Sequence, residues 1–298
     1  MVGIDRTKVR HSFDQHAREY EAYACVQKRV VARFAGLLRG RQANPRRVLD
    51  IGSGTGMLIR DLAGIYPMAD LVGLDLAFGM GLAARANLAG NPSVRLMTGD
   101  AERLPFGERA FDLVVSTSTF QWLESLDKAF AEAYRVLRPG GLFSFALFGE
   151  RTLHELRSSY RRAWGACGRG GEGRTQRFFG VAEVDSALSR AGFGTCQVVS
   201  ELEIETHPDV PALLRSIRRI GAGNTAPVVS RGLSERRVML EMMELYRREY
   251  AADGLIPATY EVIYGLGRKG GLPDPKPAKP EPNRKSKILM ERGKGEKI

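Results

Sequence analysis

Three glycines that alternate with small residues constrain this chain most strongly. Residues 48–56 read Val-Leu-Asp-Ile-Gly-Ser-Gly-Thr-Gly, and a helical pattern begins at residue 57. The glycines are Gly52, Gly54 and Gly56. Glycine adopts positive φ readily and lets backbone approach a ligand closely, and the helix that follows offers free N–H groups to an anion. The stretch therefore predicts a strand, a tight turn and a helix at a ligand site.

The spacing of these glycines differs from that of a dinucleotide fingerprint. That fingerprint reads G-x-G-x-x-G and places a pyrophosphate at the helix N-terminus, whereas this turn is one residue tighter. Asp50 precedes the first glycine, and a carboxylate there repels a pyrophosphate but suits a cationic amine. S-adenosylmethionine has such an amine, together with a carboxylate for the helix end. An ordinary glycine-rich turn without a ligand is the alternative.

The positive charge of the chain is concentrated at its C-terminal end. The 298 residues carry a net charge of +11, but residues 268–298 hold ten Lys/Arg against four Asp/Glu. That segment is rich in proline and lysine and need not fold. A basic patch interleaved with aromatic residues is not found. We therefore expect no nucleic-acid partner.

Apolar runs, cysteines and histidines argue against several other classes of protein. No run approaches the roughly eighteen apolar residues of a membrane span, and no apolar leader begins the chain. The three cysteines and four histidines are scattered, which supports neither a disulfide framework nor a metal site. We expect a cytoplasmic monomer without a metal or a membrane partner.

Strands and helices alternate after the glycine turn. Repeated strand–helix–strand units predict an α/β fold with a mostly parallel sheet, whose ligands lie beyond the carboxyl ends of the strands. Strands are predicted at 47–51, 71–75, 94–98, 111–116, 142–147, 195–205 and 259–266. Helices are predicted at 57–64, 77–89, 125–137, 181–191, 209–220 and 233–250. Arg138 to Gly141, which include a proline and two glycines, are expected to end a helix before the fifth strand.

The pattern divides the chain into three predicted segments. Residues 1–40 are predicted to form a helical cap, because Phe13, Ala17, Tyr20, Ala24 and Gln27 share one helical face. This cap either closes over the strand ends or packs on the flank of the sheet. The main domain is expected at 41–268, with a helical insertion near 207–250 and a mobile loop at 165–176. A disordered tail is expected at 269–298.

Acidic residues follow the second and third strands. Asp75 comes nineteen residues after Gly56, where a carboxylate accepts both hydroxyls of a ribose or caps the next helix. Asp100 can accept from an exocyclic amine while the N–H of Ala101 meets an adenine nitrogen, although Gly-Asp is also common in turns. Leu76, beside Asp75, and Ser116, at the end of the fourth strand, complete the predicted cofactor site.

Gln121 and Trp122 leave the fourth strand and are expected to border the reacting centre, although a tryptophan there also suits helix packing. The glycine turn, Asp75, the Asp100 turn and this exit together resemble the class I S-adenosylmethionine-dependent methyltransferases. The resemblance implies a Rossmann-like fold with a seven-stranded, mostly parallel sheet, helices on both faces and a helical N-terminal cap.

Further segments resemble the malonyl-acyl-carrier-protein O-methyltransferases of biotin synthesis, from about residue 8 to residue 267. These segments are Phe13…Ala17…Tyr20…Gln27, Phe120-Gln121-Trp122, Phe148-Gly149…Leu153…Glu155-Leu156, Arg219-Ile220-Gly221-Ala222-Gly223-Asn224 and Pro257-Ala258-Thr259-Tyr260…Gly265. The tail after Lys269 has no counterpart. This resemblance implies methylation of the free carboxylate of a malonyl thioester on acyl carrier protein, or on coenzyme A, as the start of pimeloyl formation.

Such a reaction needs no general base, because a malonyl carboxylate is already ionised at pH 7. Tyr20 and Gln121 are accordingly expected to position the reactants. Three arginines lie at i, i+3 and i+4 on a predicted helix and, with Trp122, are candidates to hold the substrate: Arg215, Arg218 and Arg219. Solvated surface arginines are the alternative. Acyl carrier protein is acidic, so basic residues would also speed its docking.

Two other functions fit parts of the same pattern. One is methylation of another small carboxylate or of a quinone-like carbon. The other is a respiratory-complex assembly factor of the same fold, a group that shares features of the segments at residues 148–156 and 257–260. The segment at residues 219–224 and the intact glycine turn favour the malonyl methyltransferase.

Overall fold

A computed structural model describes residues 4–42, 44–168, 176–223 and 233–270. Its seven strands within these residues are β1 (Arg47–Ile51), β2 (Asp70–Asp75), β3 (Val94–Thr98), β4 (Phe111–Thr117), β5 (Leu137–Phe148), β6 (Thr195–His207) and β7 (Ile256–Arg268). They form one sheet in the order β3-β2-β1-β4-β5-β7-β6.

Helices alternate with the strands along most of the chain. They are α1 (Arg6–His16), α2 (Tyr20–Tyr23), α3 (Cys25–Leu38), α4 (Met57–Ile65), α5 (Phe78–Asn87), α6 (Asp127–Val136), α7 (His154–Ala166), α8 (Val181–Arg190), α9 (Val210–Arg219) and α10 (Leu233–Tyr250), with a short 3-10 helix at Phe120–Trp122.

The sheet is parallel except for one strand. Strands β1 to β5 pair with one another in parallel, whereas β7 runs antiparallel to both β5 and β6. The mostly parallel seven-stranded α/β sheet predicted from the sequence is confirmed. Because β1, β2, β3 and β4 run the same way, their carboxyl ends meet at one edge, where ligands bind in such folds.

Hydrophobic cores lie on both faces of the sheet. Side chains of α3, α4, α7, α9 and α10 pack on one face, and those of α6 and α8 pack on the other. Aromatic rings fill the second core: Phe130 lies 5.2 Å from Phe143 and 4.8 Å from Phe145, measured between ring centroids. Helices therefore cover both faces and leave the strand ends open for a site.

The largest difference from a predicted boundary lies at the start of β5. Strand β5 begins at Leu137, not at residue 142, because residues 138–141 form an irregularity inside the strand and not a loop before it. The β4–β5 register shifts between Phe111 and Leu113, and Gly140 has φ of +77°, a conformation that glycine adopts readily. Helix α6 ends at Val136, one residue before its predicted end.

The N-terminal segment and the region after β5 contain more helix than the sequence pattern resolved. Three helices, α1 to α3, form the N-terminal segment, where the sequence pattern indicated one shared helical face. Helix α7 was not predicted. Its buried side, which includes Leu156 and Tyr160, packs into the core beside α10.

Some predictions fall on residues that are not described. The expected mobile loop includes residues 169–175, the segment resembling the family ends at Asn224, and the expected tail lies almost entirely beyond residue 270. The domain boundaries near residues 40 and 268 stay predictions. Among the described residues, no helix has the length and apolar character to span a bilayer.

Candidate active site

The glycine turn after β1 has the backbone that its sequence requires. Gly52, Gly54 and Gly56 have φ of +74°, +52° and +84°, which glycine adopts without a Cβ penalty. A Cβ on Gly52 would overlap the side chain of Thr119, and one on Gly56 would lie 2.6 Å from Leu88. A Cβ on Gly54 would meet nothing within 4 Å. Gly54 therefore presents bare backbone to open space.

That open space is a cavity of about 770 Å³, including its mouth. Its floor comes from the ends of β1, β2 and β4, and α1 covers it from above. Residues from the floor include Ile51, Gly54, Asp75 and Thr119, and those from α1 include Arg6, Val9, Arg10 and Phe13. We call it the first cavity.

Asp75 lies at the edge of the first cavity and organises the backbone beside it. Its two carboxylate oxygens accept hydrogen bonds from the N–H groups of Gly54 and Ala77, each at 2.8 Å. Burial raises the pKa of Asp75 to about 6, although these bonds favour the ionised form. Asp75 thus supports both the glycine turn and the start of α5, and each oxygen retains a further acceptor position for a ligand.

Asp50 is the least satisfied polar group at the site. It is 2% exposed, and neither carboxylate oxygen has a hydrogen-bond partner among the described residues. Burial and the nearby charge of Asp75 raise the pKa of Asp50 to about 8. Because a buried unpaired carboxylate is costly, this position favours a cationic group bound next to the glycine turn.

Helix α1 is anchored over the first cavity at two points. Arg6 donates to Asp100 at 2.6 Å and also pairs with Glu102, and the N–H of Gly79 donates to Asp14 at 2.7 Å. Burial would raise the pKa of Asp100, but the hydrogen bonds from Arg6 and from the Glu102 N–H lower it overall. The carboxylate predicted to accept from adenine is thus already engaged by α1.

A second cavity of about 450 Å³ adjoins the first. Four residues line both cavities and form the wall between them: Phe13, Tyr20, Ser118 and Trp122. The rings of Phe13 and Trp122 meet edge to face at 5.4 Å. The second cavity extends from this wall to β7 and α9, where Tyr260 and Ile217 line it.

Gln121 is fixed at the second cavity with its amide oxygen unpaired. It is 2% exposed, and its Nε2 donates to the carbonyl of Ser118 at 2.6 Å. Its Oε1 has no partner among the described residues. The side chain of Gln176 donates to the backbone carbonyl of Gln121 at 2.8 Å. The amide is therefore oriented by the protein, as a positioning role requires.

Comparison with known proteins places this arrangement in a family. Residues 49–145 match the model of a methyltransferase domain. The chain is 54% identical over 266 residues to the malonyl-acyl-carrier-protein O-methyltransferase of Geobacter sulfurreducens, covering 89% of this chain and all of that protein. The chain belongs to the malonyl-acyl-carrier-protein O-methyltransferase family. The enzyme of the same name from Methylovorus is 37% identical, with 88% of each chain covered.

Solved structures share the fold of this methyltransferase. The YcgJ protein from Bacillus subtilis has a TM-score of 0.56 at 20% identity, covering 81% of this chain and all of that one. A phosphoethanolamine N-methyltransferase from Haemonchus contortus, solved with S-adenosylhomocysteine, has a TM-score of 0.54 at 20% identity, covering 87% and 58%. These likenesses confirm the Rossmann-like class I fold.

The structure brings most of the predicted cofactor residues of this methyltransferase together. Five line the first cavity: Gly52, Gly54, Asp75, Leu76 and Ala101. Four are not part of its lining: Asp50, Gly56, Asp100 and Ser116. Ser116 departs most from its prediction, because its hydroxyl is fully buried and donates to the carbonyl of Ile51 at 2.7 Å. The next residues, 117–119, line the cavity instead.

The three predicted arginines lie together, but outside both cavities. Arg215, Arg218 and Arg219 are exposed on α9, while Ile217 from the same helix lines the second cavity. Arg219 lies over the ring of Tyr23, 4.4 Å from its centroid, and donates to its hydroxyl. Their position suits a surface contact at the second cavity, not a clamp inside it.

The residues present fit S-adenosylmethionine. The bare backbone of Gly54 leaves room for a ligand, the unpaired carboxylate of Asp50 suits its amine, and Asp75 suits its ribose. No group of three His, Cys, Asp or Glu side chains arranged to hold a metal occurs in the part of the chain that the structure describes.

Sequence reasoning missed Arg6 and the full lining of the second cavity. Arg6 has no motif of its own, and only its place on an amphipathic helix that precedes the glycine turn hinted at contact with the strand ends. Tyr260 and Gln27 appeared only as part of segments that resemble the family. Their shared position at the second cavity required the fold.

Proposed function

We propose that this chain uses S-adenosylmethionine to methylate the free carboxylate of a malonyl thioester carried by acyl carrier protein. The product, a malonyl methyl ester, would prime pimeloyl formation for biotin. The observation that carries the proposal is the pair of cavities meeting at one wall, in a chain that is 54% identical to a relative named for this activity over that relative's whole length.

The first cavity would hold the cofactor. Asp50 would face the amine, Gly54 would leave its backbone open to the ligand, and Asp75 with Ala101 would receive the nucleoside. When bound, S-adenosylmethionine supplies a methyl group on a positively charged sulfur, which leaves as a neutral thioether. The protein therefore needs to provide neither the methyl group nor the leaving group.

The chain's own residues would align the reactants and exclude water. The carboxylate oxygen is the nucleophile and is ionised at neutral pH, so no proton has to be removed. The wall residues Phe13 and Trp122 keep the space between the cavities apolar, which removes water from a charged nucleophile. Tyr20 lies in the same wall and Gln121 beside it, where both can fix the approach of the acceptor.

The acyl carrier protein would dock beside α9. The exposed arginines at 215, 218 and 219 form no ion pair with a carboxylate in the described part of the chain and lie next to cavity-lining Ile217. An acidic carrier would be attracted to such a surface. Malonyl-coenzyme A is the alternative substrate. We also propose that the protein is a monomer and that it lies in the cytoplasm.

Methyl transfer from tritium-labelled S-adenosylmethionine to malonyl-acyl carrier protein tests this function. We expect label on the carrier that is released by mild base as methanol, because a methyl ester is base-labile. Acetyl-acyl carrier protein, which lacks the free carboxylate, is the control and should stay unlabelled. A protein that binds the cofactor but labels neither carrier contradicts the proposal. Label on a quinol or on a free dicarboxylate alone would favour the other methyltransferase functions.

A further inference from the structure

The lining of the second cavity determines how the carboxylate of the substrate can be held. A malonyl substrate brings a carboxylate, yet no Lys, Arg or His lines the second cavity among the described residues. The arginines of α9 are exposed and lie outside it. Any group that holds the carboxylate inside the cavity must therefore be a neutral hydrogen-bond donor.

Tyr260 on β7 is one such donor. It is 6% exposed and lines the second cavity, with its ring 5.6 Å from that of Phe148. Its hydroxyl makes no hydrogen bond with the described residues. The contrast is Thr152, in the same lining, whose hydroxyl both donates to the carbonyl of Glu261 and accepts from its N–H, each at 3.2 Å. The Thr152 hydroxyl is thus engaged by the backbone, whereas the Tyr260 hydroxyl is left available to a ligand in the cavity.

Gln27 on α3 is the second donor. It is 6% exposed and lines the same cavity, and its side-chain amide likewise makes no hydrogen bond with the described residues. A glutamine amide offers two N–H donors. Two unpaired donors from distant parts of the chain therefore line one cavity, which hydrophobic packing alone does not require.

These two side chains remain uncharged at physiological pH. Burial, together with the nearby carboxylates of Glu205 and Glu155, raises the pKa of Tyr260 above its ordinary value. The phenol therefore keeps its proton and acts as a donor. The amide of Gln27 does not titrate. The lining of this cavity would offer a carboxylate hydrogen-bond donors but no positive charge. Arg29, whose charge partly offsets the rise in the pKa of Tyr260, lies outside the lining and pairs with Glu203.

We propose that the Tyr260 hydroxyl and the Gln27 amide donate hydrogen bonds to the carboxylate of the substrate and select it over uncharged acyl groups. This inference rests on the proposed function and names how that substrate is recognised. Neutral donors orient a carboxylate and leave its charge in place. A bidentate arginine would orient the carboxylate but would also neutralise it. One carboxylate oxygen can then keep its negative charge for attack on the methyl group. The arrangement thus combines recognition with reactivity.

Tyr260→Phe tests the proposal without disturbing the fold, because it removes a hydroxyl that has no partner. We expect the KM for malonyl-acyl carrier protein to rise roughly 10- to 100-fold, the range for losing one hydrogen bond to a charged group. The inhibition constant of acetyl-acyl carrier protein, which has no carboxylate, should stay unchanged. The affinity for S-adenosylmethionine, measured by calorimetry, should also stay unchanged.

Tyr264→Phe is the matched control. Tyr264 lies four residues along β7, so it shares the face of Tyr260, and it is similarly buried at 5% exposed. It lines neither cavity, so the loss of its hydroxyl should leave the KM for the malonyl carrier unchanged. Gln27→Met keeps the length of the side chain. Like Tyr260→Phe, it should raise the KM for the malonyl carrier and leave the inhibition constant of the acetyl carrier unchanged.

The outcomes separate this inference from the function on which it rests. An unchanged KM in Tyr260→Phe, or equal losses for the malonyl and acetyl carriers, overturns the inference while the methylation stands. A wild-type protein that binds the cofactor but does not methylate the malonyl carrier overturns the proposed function, and the inference with it.

Discussion

The two cavities differ in the charges around them. Asp75, Arg6 and Arg10 line the first cavity, and the buried carboxyl of Asp50 lies outside its lining on β1. Among the described residues, the lining of the second contains no charged side chain. A cofactor that carries an amine, a carboxylate and a sulfonium needs matched charges. A carboxylate that must attack is better oriented by neutral donors that leave its charge in place.

The wall between the cavities is where these two environments meet. Phe13, Tyr20, Ser118 and Trp122 come from the N-terminal helices and from the exit of β4. The N-terminal segment thus contributes half of the wall as well as the cover of the first cavity. Predictions that alter one cavity and spare the other test whether this division is real.

The largest effect is expected from Gly52→Ala. The residue has φ of +74°, and a Cβ would overlap the side chain of Thr119. The turn must therefore shift, and we expect cofactor affinity to fall more than 100-fold, with the free energy of unfolding lowered by about 1–3 kcal/mol. Calorimetry with S-adenosylmethionine and chemical denaturation measure the two effects.

Gly36→Ala is the control for this change. Gly36 lies inside α3, and a Cβ there would meet nothing within 4 Å, so the variant should be as stable as the wild type or up to about 1 kcal/mol more stable. Its cofactor affinity should not change. Equal cofactor affinity in Gly52→Ala and Gly36→Ala would show that the turn does not form the cofactor site.

Asp50→Asn should weaken cofactor binding by roughly 10- to 100-fold, because it removes the charge that faces the amine. The second cavity does not include Asp50, so the KM for the malonyl carrier at saturating cofactor should change little. If Asp50→Asn weakened the cofactor and raised the KM for the malonyl carrier by the same factor, the two sites would not be separate. Calorimetry and steady-state kinetics measure the two constants.

The same residue predicts a pH dependence. With the pKa of Asp50 raised to about 8 by burial, its carboxyl carries a proton below that pH in the free protein. A bound cation favours the ionised form, so binding releases a proton, and cofactor affinity should rise between pH 6 and pH 8 and then level off. Asp50→Asn should abolish most of this slope. A wild-type affinity independent of pH would contradict the assignment.

The first cavity could be predicted because its residues follow one another at the ends of successive strands. Asp75 ends the second predicted strand, Gly54 and Ala101 each come three residues after the end of a predicted strand, and parallel strands bring such ends together. The sheet itself followed from alternating apolar segments. What failed there was local: the hydroxyl of Ser116 bonds to a neighbouring strand, which no motif in the sequence indicates.

The second cavity could not be predicted in the same way. Its lining joins Gln27 on α3, Thr152 before α7, Ile217 on α9 and Tyr260 on β7, and no spacing in the sequence relates these positions. The arginines of α9 illustrate the limit. Their helical spacing correctly placed them together, but which side of α9 faces the cavity depended on Ile217 packing inward. Tertiary packing, and not sequence spacing, therefore determines which residues line the second cavity.

A smaller effect is expected from Arg6→Met, which loosens the cover of the first cavity. Arg6 is 30% exposed and its partners Asp100 and Glu102 are 35% and 20% exposed, so solvent screens these pairs and their loss costs about 1 kcal/mol at most. We expect cofactor dissociation to become about threefold to fivefold faster in stopped-flow measurements. Lys8→Met, on the same helix and paired within the described part of the chain only with nearby Asp5, should leave that rate unchanged.

The smallest effects should come from the arginines on the outside of the second cavity. Single changes of Arg215, Arg218 or Arg219 to Gln should raise the KM for the malonyl carrier only about twofold to threefold, since exposed charges act mainly on the rate of encounter. The triple variant should lose most of the salt dependence of kcat/KM, which in the wild type falls as ionic strength rises. Arg85→Gln, exposed on α5, is the control.

Malonyl-coenzyme A separates docking of the carrier from recognition of the acyl group. It offers the same malonyl thioester without the acidic protein, so the triple arginine variant should methylate it about as well as the wild type does. Tyr260→Phe should impair both substrates, because each brings the carboxylate into the second cavity. Equal losses for the carrier and for coenzyme A in the arginine variant would move those side chains from the docking surface into the substrate site, and the neutral character of the second cavity would then have to be abandoned.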